Sequence, residues 1–390
     1  MDLISYISVL LYLVTFIAGI RIGRVSRFNL KSNYANNIYI AWLYIFLCFG
    51  YMTGSDWRSY EMMFYGDNNI SINVAEFGFW HTFEILSRLI PDYWIVVGML
   101  KCIYLYSFIR LTKKITVQWP SLIAFSLPLS LMYLLIDNPL RFMMAMTFVN
   151  FAIPFLLNGK LMIFLLLSLC GVSFHSTSII VIMLFLLSYY MTNRVLEIKP
   201  SILAMIYIIF SILLSSVTYL SEIQTTINQL SVLYGFKDYG SYTIEDNSSF
   251  FTIGSFLSIF YGLYIIANLT VVRQKFVWGD FIAKSALLYI FLQRATLLVP
   301  SGYRFLLPLS VFYALFFVVE SHSDFFLLKK GSVLIRKAVI VLMTITLVRT
   351  LYQEYVYIPY SNSIPYIITE HLPFHERDNY NIVAAEKRLK

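Results

Sequence analysis

Residues 170–178 read CGVSFHSTS, and they lie in the middle of an apolar run, Leu161 to Met191, that contains no Asp, Glu, Lys or Arg. Within it His175 is the one side chain that ordinarily titrates near neutral pH. As a single helix the run would be about 46 Å long at ~1.5 Å per residue, against ~30 Å for the hydrocarbon core of a bilayer. It is therefore either one overlong span or two short helices that meet at the histidine. The choice decides on which side of a membrane every later loop falls.

The rest of the chain makes the membrane setting plain. Of 390 residues, 59% are hydrophobic and 13% charged, where a soluble domain carries about 25% charged residues. The first apolar run, Leu3 to Ile20, follows Asp2 and precedes Arg21, Arg24 and Arg27. That order of charge is the reverse of a signal peptide's, and no small-x-small site ends the run, so it reads as a transmembrane helix. Cys48, Cys102 and Cys170 show no C-x-x-C spacing and lie in apolar runs, which signals neither a disulfide framework nor a metal site. Further apolar runs fall near 36–53, 93–109, 120–136, 141–157, 200–220, 251–271, 281–299, 304–320 and 338–356.

Loop charge decides between one span and two. The segment after the first run is basic (Arg21, Arg24, Arg27, Lys31), 54–92 is acidic, and 110–114 is basic again. The positive-inside rule then places the N-terminus outside. If 161–191 crosses once, the Lys329, Lys330, Arg336, Lys337 cluster lands outside. If it turns at Val172 to Ser176, inside loops hold 16 Lys+Arg and outside loops before the tail hold 5. The expected fold is thus an all-α polytopic membrane protein of about 12 spans (range about 11–13), with a short-span hairpin at 161–191, partly helical external loops and both chain ends outside. The net charge of +8 is then mostly inside-loop charge, and no nucleic-acid partner is implied.

Outside, Val74, Phe77, Trp80, Phe83, Leu86 and Ile90 recur at helical spacing, with Glu84 and Arg88 at i,i+4 on another face. This predicts an interfacial helix over 74–90 within the external loop 54–92. The segment 221–250 reads as a second external loop, and 357–390 as an external tail. Placed by depth, Arg141, His175 and Arg304 lie at the outer surface, Arg294 and Arg349 one to two turns inside it, and Asp56 and Arg58 in the loop beside it. Lys101 lies near mid-depth. The acids at span ends are Asp137 and Glu354, too few to neutralise the arginines. A ligand anion is expected, and a guanidinium fork suits a lipid phosphate or diphosphate. For each arginine the plainer reading is snorkelling to headgroups, and for His175 a helix-end hydrogen bond. His371 and His375 are spaced i,i+4, but Pro373 between them argues against a metal pair.

The order GSDWRSYEMMF (54–64), EFGFW (76–80), NPLRFMMAMTFVNFAIPFLLNGK (138–160), SFHSTSII (173–180) and YRFLLPLS (303–310) resembles the EpsG-type, Wzy-like bacterial polysaccharide polymerases. Its strongest parts are R-x-x-x-A at Arg141 to Ala145 and F-H-x-[ST] at Phe174 to Thr177. The resemblance implies a GT-C-like glycosyltransferase of the bacterial inner membrane. Such an enzyme polymerises undecaprenyl-diphosphate-linked repeat units at the outer face, among membrane lipids and with a chain-length regulator as partner. An acceptor hydroxyl would attack the anomeric carbon as the lipid diphosphate leaves. Arg141, Arg304 and Arg294 then hold the diphosphate, and His175 or Asp56 is the base. Arg58, Glu76, Tyr60, Tyr303 and Arg349 are candidate substrate-binding residues. No D-x-D pair asks for a metal, and no cofactor is expected. The alternatives are a ligase-type glycan transferase and a lipid-linked glycan flippase, the latter disfavoured because the polar groups gather at one surface.

Overall fold

The computed structural model describes residues 3–28, 33–54, 56–66, 76–137, 139–215, 253–296, 302–319, 329–353 and 360–377, with a few isolated positions near 225–229. Glu354, most of the 221–250 loop and the end of the tail from 378 lie outside the described residues. Each predicted apolar run has a helical counterpart. They are α1 (Leu3–Phe28), α2 (Asn33–Leu43) continued by a π turn Tyr44–Cys48, α5 (Tyr93–Ile115), α6 (Trp119–Ser126) and α7 (Met132–Leu135), α8 (Leu140–Leu157), α9 (Leu161–Phe174), α10 (Ser178–Tyr190), α11 (Pro200–Ser215), α12 (Ile253–Lys275), α13 (Gly279–Ala295), α14 (Ser310–Val318) and α15 (Lys329–Gln353). Between them α3 (Trp57–Phe64) and α4 (Phe77–Leu89) lie in the first large loop, and α16 (Ile364–Ile368) near the end. The protein is an all-α membrane protein.

Among the described residues, four helices are long and apolar enough to cross a membrane unaided: Ser5–Ser26, Tyr93–Ile115, Leu140–Leu157 and Gly254–Lys275. Others are shorter. Helices α9 and α10 have 14 and 13 residues, about 20 Å each. The 161–191 run is therefore broken, and the break falls at His175 to Thr177. Between α6 and α7 the chain takes a π turn, Leu127–Leu131, that contains Pro128. Proline has no N–H to give to the i−4 carbonyl, and the ladder slips by one residue there. The basic stretch after the first run differs from expectation: Arg21, Arg24 and Arg27 continue α1 as helix, because nothing before Phe28 breaks the helical pattern. The loop helix spans Phe77–Leu89, with Val74 outside the described residues, and its buried side is Phe79 and Phe83 while Phe77 is exposed. That side packs on protein: Tyr60, Phe64 and Tyr93 surround Phe79 and Phe83.

The chain forms two compact units, Met1–Ile182 with Ile340–Lys390, and Met183–Val339. In the first, α6 packs on α1, α5 on α8, and α9 on both α8 and α4. A two-residue antiparallel ladder pairs Gly50 with Asn362 and Tyr51 with Ser361, which brings the C-terminal segment to the root of the first large loop. In the second unit α12 packs on α11 and α13, and α13 on α14. There Lys284 Nζ donates to the Met191 carbonyl at 2.9 Å, and Arg273 pairs with Asp280 at 2.7 Å.

Candidate functional site

Helices α8 and α9 run antiparallel, and their side chains meet in register. Phe142 lies edge-on to His175 at 5.6 Å, and Phe148 against Phe174 at 5.1 Å. Ala145 and Gly171 set the separation: a Cβ on Gly171 would stand 2.8 Å from the Ala145 carbonyl oxygen, so no larger residue fits. The start of α8 and the end of α9 consequently coincide, and Arg141 and His175 share one end of the pair. The spacing R-x-x-x-A acquires a physical meaning here. Arg141 faces the site, and one turn on Ala145 lets α9 approach closely enough to bring the histidine.

Helix α4 supplies the third group. A Cβ on Gly78 would fall 2.3 Å from Ser173 Oγ and 3.0 Å from Cβ of the same residue, so α4 rests directly on the last turn of α9. That contact places Glu76, just ahead of α4, between the other two side chains. Its Oε2 accepts from Arg141 Nη1 at 2.5 Å, and its Oε1 meets His175 Nδ1 at 2.6 Å. Glu76 is 2% exposed. Tyr60 of α3 completes the cluster by accepting from Arg141 Nε at 3.1 Å, and Trp80 of α4 lies under the guanidinium at 6.0 Å.

The electrostatics follow from these contacts. Burial by itself would raise the Glu76 carboxyl, but the bond and charge of His175 and the Arg141 guanidinium outweigh it and hold the group below its ordinary value. Glu76 is therefore ionised and can only accept. The hydrogen that faces Glu76 on His175 must sit at Nδ1, and whenever the ring is neutral its Nε2 is left as an acceptor. Burial pushes the Tyr60 hydroxyl up to about 12, with Arg141 acting in the opposite sense. On Arg141, Nε and Nη1 are engaged, Nη2 has no partner among the described residues, and the side chain is 32% exposed.

The expected residues separate into groups. Glu76, Arg141, His175 and Tyr60 come together. Asp56 is exposed at the start of α3, where its carbonyl accepts from the Tyr60 N–H at 3.3 Å, and Arg58 lies over the Trp57 ring at 6.0 Å. Arg349 is partly buried in α15. Arg294, Tyr303 and Arg304 belong to the second unit. Arg294 is 4% exposed and gives Nη2 to the Ser255 carbonyl at 3.1 Å, Tyr303 is exposed, and Arg304 is partly buried in the 3-10 turn Gly302–Leu309. The expected surplus of positive charge is corrected at Arg141. Its acid is Glu76, which a search confined to span ends passes over because Glu76 arrives from a loop helix. Lys101 is fully buried, with no hydrogen-bond partner for Nζ among the described residues.

The sequence gives no sign of a second cluster in the same unit. Arg377 pairs with Glu61 at 2.5 Å, and His371 bridges Asp92 at 2.8 Å and the Tyr51 hydroxyl at 3.2 Å. These partners lie some three hundred residues apart in the chain, and no local spacing marks them.

The protein is thus a helical membrane protein with a carboxylate–histidine–arginine site at the ends of packed helices. The model of the EpsG family matches residues 33–366, and the chain belongs to that family, which is associated with polysaccharide polymerisation. The matched range includes every residue of the site. No curated protein and no solved structure matches the chain.

Proposed function

We propose that the protein is a membrane glycosyltransferase that polymerises undecaprenyl-diphosphate-linked oligosaccharide repeat units at the outer face of the inner membrane. The observation that carries the reading is Glu76, whose two oxygens hold His175 and Arg141 side by side. The His175 Nε2 takes the proton of the acceptor sugar hydroxyl as its oxygen attacks the anomeric carbon of the donor glycan. The bond from that carbon to the lipid diphosphate breaks, and the leaving diphosphate carries away the electron pair. Arg141 Nη2 donates to a diphosphate oxygen as charge develops. A positioned base contributes roughly 10²–10⁴-fold, and loss of one such donor costs about 10²–10³-fold. His175 is preferred over Asp56 as the base because it has a carboxylate to fix its tautomer. Arg294 and Arg304 remain proposed diphosphate ligands, and Arg58, Tyr303 and Arg349 proposed glycan contacts.

The test is a cellular one. Cells expressing Arg141→Ala or Arg304→Ala in place of the wild-type protein should accumulate lipid-linked single repeat units, with the variant inserted at normal level. Long unattached chains would identify a ligase instead, and polymer of wild-type length from both variants would remove the diphosphate role.

A further inference from the structure

Helix α3 presents a second face to a second cavity. Successive residues of a helix turn by about 100°, so while Tyr60 reaches Arg141, Glu61 points elsewhere. With Met62, Tyr65, Gly66, Phe374 and Arg377 it lines a cavity of about 420 Å³ between α3 and the C-terminal segment. That volume lies within the roughly 300–1,000 Å³ of small-molecule sites.

Two of the lining residues, Glu61 and Arg377, form an ion pair in which both are nearly buried. Arg377 is fixed from three sides: Nε donates to the Leu372 carbonyl at 2.7 Å, and the guanidinium lies 5.7 Å from the Trp57 ring and 5.6 Å from that of Phe374. Glu61 Oε1 and Arg377 Nη2 have no partner among the described residues. An acceptor and a donor thus stand next to each other with zero net charge between them. Phe374 forms a wall, and the ring of Tyr65, 59% exposed, stands at the rim.

This combination selects a saccharide. Neighbouring sugar hydroxyls offer a donor to the carboxylate and an acceptor to the guanidinium, and the apolar face of a pyranose rests on an aromatic ring. A phosphate is disfavoured, because Glu61 would face it with like charge. The cavity and the Glu76 site are built on consecutive residues of one helix, and they lie within roughly a helix diameter, about 10–12 Å. We propose that the cavity is a saccharide subsite that holds a sugar ring of the lipid-linked glycan while transfer occurs at His175 and Arg141. The identity of that glycan rests on the polymerase reading, whereas saccharide binding does not.

Met62→Trp tests this, because it fills the cavity without altering the ion pair. Full-length protein in nanodiscs is titrated with methyl glycosides of a hexose, an N-acetylhexosamine, a 6-deoxyhexose and a uronic acid, and followed by saturation-transfer NMR. At least one should bind the wild type and bind Met62→Trp about tenfold more weakly or worse. Phe374→Ala, which removes the wall, should weaken the same glycoside and covers the case in which the tryptophan variant does not fold. In chain extension from a lipid-linked repeat unit, Met62→Trp should raise KM about tenfold with kcat held within about twofold. Absence of transfer from every glycoside, or equal binding by wild type and both variants, overturns the subsite. Glycoside binding that Met62→Trp abolishes, in a protein that extends no chains, keeps the subsite and removes the polymerase reading.

Discussion

Glu76 orients a histidine and neutralises an arginine with one nearly buried carboxylate, and it has the most to lose on substitution. Glu76→Ala leaves Arg141 without its charge partner and should cost about 3 kcal/mol, the low end of the range for broken buried pairs, because Arg141 still reaches water. Glu76→Gln keeps the shape but removes the charge that selects the Nδ1–H tautomer, and chain extension should fall by about 10²-fold in kcat with KM little changed. Acid stability reads the same group. Its folded pKa lies below the ordinary 4.5, so its contribution is complete above that value and is lost as pH falls through the depressed one. Thermal midpoints of the wild type should drop as pH falls below the ordinary carboxylate value of 4.5, and Glu76→Gln, less stable at neutral pH, should show a shallower slope. Arg141 and His175 were legible in the sequence because each is an ionisable group at the edge of an apolar run. The partnership with Glu76 was not, since one acid in an acidic loop looks like its neighbours Glu61 and Glu84. Arg294 shows the converse: its charge is conspicuous in the chain, and the Ser255 carbonyl that engages it is not.

At the scale of elements, the site depends on how closely α4 and α8 press on α9. Gly78→Val would put methyl groups where Ser173 already stands and lift α4 from the last turn of α9. Chain extension should be lost in a protein that still inserts, and its histidine should show the Nδ1–H resonance no longer hydrogen-bonded by NMR. An active Gly78→Val would mean that Glu76 is not held by this contact. The break at residues 175–177 could be read from loop charge alone, because a single crossing would put a basic cluster on the wrong side. Helix lengths could not be read that way. Hydropathy marks where apolar residues lie but not where packing against protein, as in α6 and α7 around Pro128, replaces packing against lipid. The ladder of Gly50–Tyr51 with Ser361–Asn362 is too short to carry any strand pattern, and the cavity between α3 and the C-terminal segment has no local spacing to mark it.

For the whole molecule, the pairing of the C-terminal segment with the root of the first large loop requires both to lie on one side of the membrane. From the charge distribution we propose that this side is the outer one. In a cysteine-free background, Arg88→Cys and His375→Cys, both at exposed positions, should react with an impermeant maleimide added to intact cells, and Lys114→Cys should react only after permeabilisation. Equal labelling of all three positions, or protection of the first two, would invert the orientation and with it the face on which the site works. Reconstitution tests whether Glu76, His175 and Arg141 form a glycan-transfer site. Purified protein is incubated with a lipid-linked repeat unit and the products are resolved by length. The wild type should yield a ladder with release of lipid diphosphate, and His175→Ala a rate lower by about 10²-fold or more. A wild-type protein that leaves the repeat unit unextended, or a His175→Ala variant that builds the same ladder at the same rate, would contradict it.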